Sequence, residues 1–262
     1  MTHPETDAPH EVSLVTGASR GIGRAVACAL ARRGGHVVIN YKRDEEAART
    51  ALEEVEKAGG EGSLFRADVE DPEAVAELLD FVERRHGRLD HLVANAAAGP
   101  AKSVDQVELR HLARSHAMNS QSFVVAAQHA VRLMDRGGRI VAVSSLAAGR
   151  AMPGYAAIGA QKAALEAWVR YFAAELAPRG VNVNAVTGGM IRTDSLDHYL
   201  GATGLTDGDI VPHIPKGRAG SPREVADAVD FLLSPAAEYI TGQNLVVDGG
   251  LSISAPFCGH PA

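Results

Sequence analysis

Two side chains near the middle of the chain could move a proton between them and a substrate. They are the phenol of Tyr155 and the ammonium of Lys162, in the run Tyr155-Ala-Ala-Ile158-Gly-Ala-Gln-Lys162. On an α-helix, four residues rise by ~6 Å; seven rise by ~10.5 Å and return to nearly the same face. The spacing therefore puts the phenol on the lysine's face but two turns away. Ile158, an aliphatic residue, holds the nearer position. A cation lowers the pKa of a neighbouring phenol and readies it as a proton donor. Pro153-Gly154 immediately before Tyr155 marks a helix entrance, where the direction of the ring is adjustable. The alternative is that Tyr155 only packs and that no acid stands here.

A second constellation is Val12-Ser-Leu-Val-Thr16-Gly17-Ala-Ser19-Arg20-Gly21-Ile22-Gly23, an apolar strand, a glycine turn and a helix start. Gly17 permits the turn, Gly21 lets the backbone approach a pyrophosphate, and Gly23 allows close helix–strand packing. The free N–H groups and positive dipole end of the helix then face the phosphates. The alternative is a glycine-rich turn without a ligand. At the end of the next strand, Val38-Ile39-Asn40-Tyr41-Lys42-Arg43 carries no acid before Asp44. A carboxylate at that place serves the ribose hydroxyls of NAD and would repel a 2′-phosphate, whereas arginine binds one through charge-assisted bonds. With Arg20 in the glycine loop, the expected cofactor is NADPH. Alternatively, Lys42 and Arg43 are solvated residues at a helix start.

These groups need a frame that brings strand ends together. β-rich runs at Val12–Thr16, His36–Asn40, Gly62–Ala67, His91–Ala94, Arg139–Val143, Val181–Val186 and Asn244–Val247 alternate with helical periodicity. The helical runs are Ile22–Arg33, Asp44–Lys57, Pro72–His86, a long stretch from about Asp105 to Met134, and Tyr155–Ala177. Near-continuous apolar strands alternating with helices predict an α/β fold: a single-domain, Rossmann-type, doubly wound parallel sheet with helices on both faces. Residues 1–10 read as a polar, flexible N-terminal tail and 11–262 as the domain. Residues 188–220 read as an irregular substrate loop, rich in Gly, Thr and Asp.

The bulk numbers agree with one globular domain: 262 residues, 46% hydrophobic and 22% charged. The net charge of −6, with acids and bases interspersed, argues against a nucleic-acid or membrane-surface footprint. Cys28 and Cys258 suggest no disulfide framework. His86, His91, His111, His116, His129, His198 and His213 show no metal-ligand spacing, so no metal is expected. With no signal-peptide core and no membrane-length apolar run, a soluble cytoplasmic protein is the default expectation.

Taken together, the glycine loop, Ser144-Ser145, the Tyr155–Lys162 segment and Val247-Asp248-Gly249-Gly250 resemble the short-chain dehydrogenase/reductase superfamily over roughly residues 11 to 252. That family usually places its tyrosine four residues before the lysine. Tyr-x6-Lys, as here, resembles its enoyl-thioester reductases. Arg150-Ala-Met-Pro-Gly-Tyr155, Lys162-Ala-Ala-Leu-Glu-Ala-Trp-Val-Arg-Tyr171 and Asn184-Ala-Val-Thr-Gly-Gly-Met-Ile-Arg-Thr193 are similar to bacterial NADPH-dependent enoyl-acyl-carrier-protein reductases. The resemblance implies Tyr155, Lys162, Ser145 and Asn119 as catalytic residues, with Asn119 supporting a water and the lysine, and Lys162 bonding the nicotinamide ribose. It implies a cofactor surface of Gly17, Ser19, Arg20, Gly21, Ile22, Gly23, Tyr41, Lys42, Arg43, Asp68, Val69, Asn95, Lys162, Gly188, Ile191 and Thr193, with Asp68-Val69 at the adenine and Thr193 at the carboxamide. Ala94 and Gly188-Gly189 depart from the family's usual Asn and Pro-Gly.

In enoyl-thioester reduction, hydride lands on the β-carbon and charge develops on the thioester oxygen, two carbons away. A set-back phenol suits that geometry. The implied function is NADPH-dependent reduction of an acyl-carrier-protein or coenzyme A enoyl thioester in fatty-acid or polyketide synthesis, by a homotetramer built through residues 105–134 and 155–177. The alternatives are an atypical ketoreductase of secondary metabolism that uses Ser145, water or the cofactor ribose in place of the tyrosine, and a reductase-like binding protein, lyase or cyclase.

Overall fold

The computed structural model describes residues 11–135 and 137–254; the expected tail at 1–10 and Cys258 lie outside them. Seven parallel strands form one sheet: β1 (Val12–Val15), β2 (His36–Tyr41), β3 (Glu61–Arg66), β4 (His91–Ala94), β5 (Arg139–Ser145), β6 (Asn182–Gly188) and β7 (Asn244–Val247). Their order is β3-β2-β1-β4-β5-β6-β7. The chain reverses its direction of winding between β1 and β4. In such sheets the crevice beyond the carboxyl ends of the strands at that point is the ligand site.

Alternation along the strands builds a core on each face. On one face Leu14, Leu92, Ile140 and Val183 pack beneath α3 (Pro72–His86) and the helices at 122–130 and 156–176, whose contribution includes Leu78, Phe123 and Leu165. On the other, Val15, Ile39, Val93, Val141 and Val186 pack beneath α1 (Gly21–Ala31) and α2 (Glu45–Lys57), through Val26, Leu30 and Val55. The inner strands β1, β4, β5 and β6 are mostly apolar and buried because both faces are covered, whereas the edge strands β3 and β7 are partly exposed. None of the helices among the described residues is long and apolar enough to cross a membrane.

Three segments differ from the sequence expectation. The long helix expected from Asp105 to Met134 is broken into a 3-10 turn at Val104–Gln106, α4 (Leu109–His116), a π turn (Ala117–Gln121) and α5 (Ser122–Ala130). The cause is a cluster of short polar side chains competing with the backbone ladder: Asn119 Nδ2 donates to the Ser115 carbonyl at 2.9 Å, and Ser122 Oγ donates to the Met118 carbonyl at 2.6 Å. After α6 (Ala156–Leu176), residues 188–220 are not an irregular loop. They hold α7 (Asp194–Thr203), capped by Thr193, and α8 (Asp207–Ile210), with a Thr206/Asp209 capping box. Finally, α9 (Pro222–Leu232) was absent from the sequence-derived elements. Its signal is Ser221-Pro222-Arg223-Glu224, a capping box with proline in the first turn, ahead of Val225, Val229 and Leu232.

Candidate active site

The cleft begins where β1 gives way to α1. Thr16 Oγ1 accepts from the N–H groups of Asn95 (3.0 Å) and Ala96 (3.1 Å), tying this turn to the end of β4. Asn95 Nδ2 in turn donates to the carbonyls of Thr16 and Gly17, each at 3.0 Å. Gly17 has φ +62°, and a Cβ on Gly23 would stand 2.4 Å from the Gly17 carbonyl oxygen. A side chain at Gly23 would therefore push α1 off the turn. Asn40, not foreseen as part of the site, accepts from Gly17 N at 3.2 Å and donates to the Ala67 carbonyl at 3.1 Å. Its signal was a polar residue inside an otherwise apolar strand.

The N-terminus of α1 carries no side-chain cap and no acid in its first turn. By contrast, α2, α3 and α7 are capped by Asp44, Asp71 and Thr193. The N–H groups and dipole end of α1 face the cleft unspent, as an anion site requires. With Gly23 packed against the loop, the residues present fit a dinucleotide pyrophosphate.

The cations expected at the ribose end are not equivalent. Lys42 Nζ lies 2.6 Å from Asp68 and 2.7 Å from Glu70, and Arg114 also reaches Glu70, at 3.3 Å. Arg20 bridges at 3.2 Å to Asp194, at the start of α7. Arg43 is exposed on the cleft and has no carboxylate partner among the described residues. Asp68, expected at the adenine, is engaged with Lys42. Thr193 Oγ1 donates to the Ile191 carbonyl at 3.2 Å and accepts from Leu196 N at 3.4 Å, so this hydroxyl also starts α7.

At the other end of the cleft, Ser145 closes β5, and its Oγ accepts from Ala147 N at 3.3 Å. Lys162 is buried on α6 and donates to the Val143 carbonyl at 2.7 Å. Burial pushes its pKa down to about 8, against the opposing pull of Glu166. An ammonium has three donors, and a buried one requires partners for them. Asn119 Nδ2 donates to the Ala98 carbonyl at 2.7 Å, while its buried Oδ1 has no partner among the described residues. A cavity of about 10 Å³ is lined by both Asn119 and Lys162, a volume that suits one water.

Tyr155 occupies the N-terminal boundary position of α6, and its side chain makes no capping hydrogen bond there. Its ring meets Tyr199 of α7 edge to face, with centroids 5.5 Å apart. Burial, and then Tyr199, raise the pKa of Tyr155. This corrects the expectation that Lys162 lowers it: Lys162 is turned to the Val143 carbonyl, and the phenol sits in an apolar surround. That surround includes Met152, Met190 and Leu196, with Tyr199. Tyr199 was not foreseen as a site residue, because its signal was submerged in what read as a loop. Ile158 is buried where the nearer phenol would be, and Gly99 makes room for it. A Cβ on Gly99 would lie 2.4 Å from Ile158 Cγ1.

One cleft of about 640 Å³ is lined by all of the expected site residues except Gly23, which packs behind the loop, and Asn119, which lines the small cavity. His198 also lines it. No cluster of three or more metal-ligating side chains exists among the described residues.

Residues 17–252 match the family described as enoyl-(acyl carrier protein) reductase. The chain is 54% identical to 1-cyclohexenylcarbonyl-CoA reductase of Streptomyces collinus, over 96% of this chain and 90% of the relative. It is 36% identical to versicolorin reductase of Emericella nidulans, over 92% of this chain and 95% of the relative. Among solved structures it resembles a short-chain dehydrogenase from Burkholderia cenocepacia in complex with NADP. That likeness has a TM-score of 0.83 and 34% identity, and covers 92% of this chain and 97% of the other.

Proposed function

Since the chain belongs to the short-chain dehydrogenase/reductase family and is an oxidoreductase, we propose that it reduces the carbon–carbon double bond of an enoyl thioester with NADPH. The observation that carries this reading is the phenol set back at the entrance of α6, with Ile158 filling the position one turn before Lys162. The name of the Streptomyces collinus relative, a reductase of an unsaturated acyl-CoA, supports it.

Bound reduced nicotinamide supplies the hydride. In this reading Tyr155 Oη donates to the thioester oxygen, where negative charge develops two carbons from the point of attack. Lys162 holds the nicotinamide ribose, and Asn119 braces a water beside it. The apolar wall of Met152, Met190, Leu196 and Tyr199 keeps water from the acyl group. Ile158 presents no proton donor beside the reacting carbons, which disfavours a carbonyl there. The phosphate end falls to α1's free N-terminus, with Arg43 as the available cation for a 2′-phosphate. The thioester carrier is coenzyme A or an acyl carrier protein, in a biosynthetic pathway.

A homotetramer belongs to the same reading. It is supported by large apolar side chains left exposed on α4 (Leu109, Leu112) and α6 (Trp168, Tyr171). Keto reduction is the second reading, favoured by the Ser145 hydroxyl in the cleft. NADPH oxidation with crotonyl-CoA and then acetoacetyl-CoA decides between them. Turnover of the keto substrate alone refutes the proposal.

A further inference from the structure

The inner side of α6 makes two successive bonds to β5. Lys162 donates to the carbonyl of Val143, and one turn later Glu166 accepts from the hydroxyl of the next residue, Ser144, at 2.6 Å. The same Glu166 Oε1 also accepts from Asn244 Nδ2 of β7 at 2.9 Å and from Thr187 Oγ1 of β6 at 3.4 Å. A single carboxylate oxygen thus gathers three adjacent strands. Two of the donors stand one residue before Ser145 and Gly188, which line the cleft. A scaffold alone could use a neutral acceptor; three donors converging on one oxygen favour an anion.

The charge has a second recipient. Lys162 is buried beside residues that offer it no other charge. β5 contributes Ser144 and Ser145, β4 ends at Ala94, the π turn offers Asn119, and α5 offers Ser122 and Phe123. The neutral phenol of Tyr155 is the remaining titratable group on α6 in that part of the cleft. A lysine buried in this way sheds its proton unless an anion opposes the loss, and Glu166 is the group that raises its pKa.

We propose that Glu166 is a positioning residue for the reaction: it braces the floor of β5, β6 and β7 on which Lys162 lies and, four residues further along the same helix, sets a carboxylate charge against that of the lysine. This rests on the reading of Lys162 as the ligand of the cofactor ribose. Its test reads the free protein and cofactor binding, so the absence of enoyl turnover would refute the proposed reaction and leave this test intact.

Glu166→Gln keeps an acceptor oxygen and removes the charge; Glu166→Asp keeps the charge and shortens the reach. The Lys162 titration is followed by ε-13C NMR, assigned with Lys162→Arg, and NADPH affinity is followed by fluorescence titration across pH 6 to 9. In Glu166→Gln the melting temperature should stay near wild type. The Lys162 midpoint should fall by about one unit, and the pH above which NADPH binding weakens should fall with it. Glu166→Asp should lower the melting temperature and leave the midpoint near that of wild type. A midpoint unmoved in Glu166→Gln, or moved equally by both variants, overturns the proposal and leaves Glu166 a structural brace. Should Glu166→Gln not fold, wild type decides: Lys162 must be protonated at pH 7, and a lysine already neutral there refutes it.

Discussion

Arg43 and Lys42 are adjacent in sequence and line the same end of the cleft, yet the structure gives them different electrostatic situations. Lys42 has two carboxylates within 2.7 Å, whereas Arg43 has none among the described residues. If NADPH is the cofactor, its 2′-phosphate should draw on Arg43. A charge-assisted bond is worth roughly 1.5–3 kcal/mol, and each 1.4 kcal/mol is about tenfold in affinity. Arg43→Ala should therefore weaken NADPH by about 10- to 100-fold and leave NADH nearly unchanged. Lys42→Ala acts differently. It leaves Asp68 without its cation and Glu70 with only Arg114. The loss should be smaller, roughly 3- to 10-fold, and should shrink as salt screens the part-exposed carboxylates. Fluorescence titration of both cofactors at 50 and 300 mM salt measures all of this. Equal binding of NADH and NADPH by wild type would refute the reasoning. So would an Arg43→Ala variant that weakens the two cofactors alike, because the lost contact would then not be to the phosphate.

Tyr155→Phe should cut turnover of crotonyl-CoA by at least about tenfold while NADPH affinity holds, because the hydroxyl acts on charge that develops only in the transition state; full activity would make Tyr155 a packing residue. Ile158→Tyr places a phenol one turn from Lys162, against Gly99, and overpacking there costs about 1–3 kcal/mol. Product analysis should show a gain of β-ketoacyl reduction and a fall in enoyl reduction. Acid should destabilise the fold through His91, whose pKa is pushed down to about 4, chiefly by burial. The unfolded chain then binds the proton more readily, so stability is whole above about pH 6.5 and declines as pH falls toward 4. The decline amounts to about 3 kcal/mol from this residue. His36 and His86, also depressed by burial, act in the same direction. Urea melts at pH 7.5 and 5 should show the drop, and His91→Asn should flatten it.

Much of the frame was legible because the signals were local. The apolar strands, the glycine turn and the Asp71-Pro72 helix start each follow from a few neighbouring residues, and all seven strands lie where the pattern put them to within a residue or two. What was not legible depends on contacts distant in sequence. Periodicity joined α4 to α5 because the apolar spacing runs on through the π turn. The short polar side chains that compete with the backbone there leave that spacing intact, and the bond from Asn119 to Ala98, 21 residues away, exists only in the fold. Composition made residues 188–220 look irregular, since a stretch rich in Gly, Thr and Asp reads as loop while single capping residues, Thr193 and Thr206, decide the helices. Lys42 and Arg43 read alike until the fold supplied Asp68 and Glu70 from the turn that follows β3.

The set-back phenol shows how far motif spacing can be pushed. Seven residues of helix put Tyr155 on the lysine's face, and spacing alone invites the inference that the lysine activates it. The structure separates the two roles. Lys162 is claimed by β5, and Tyr155 leans on Tyr199 of α7, so the phenol's position depends on the helices over the cleft. Arg20 and Asp194 join the start of that same helix to the cofactor loop. If Tyr155 is the proton donor, as proposed, it is aligned by the packing of α7 against it. Burial moves its pKa further from neutrality, so the phenol carries its proton there, as the proposed donation to an enolate oxygen requires. A donor tuned by Lys162 would favour release of its proton more generally. One governed by burial favours holding the proton until charge appears on a substrate beside it.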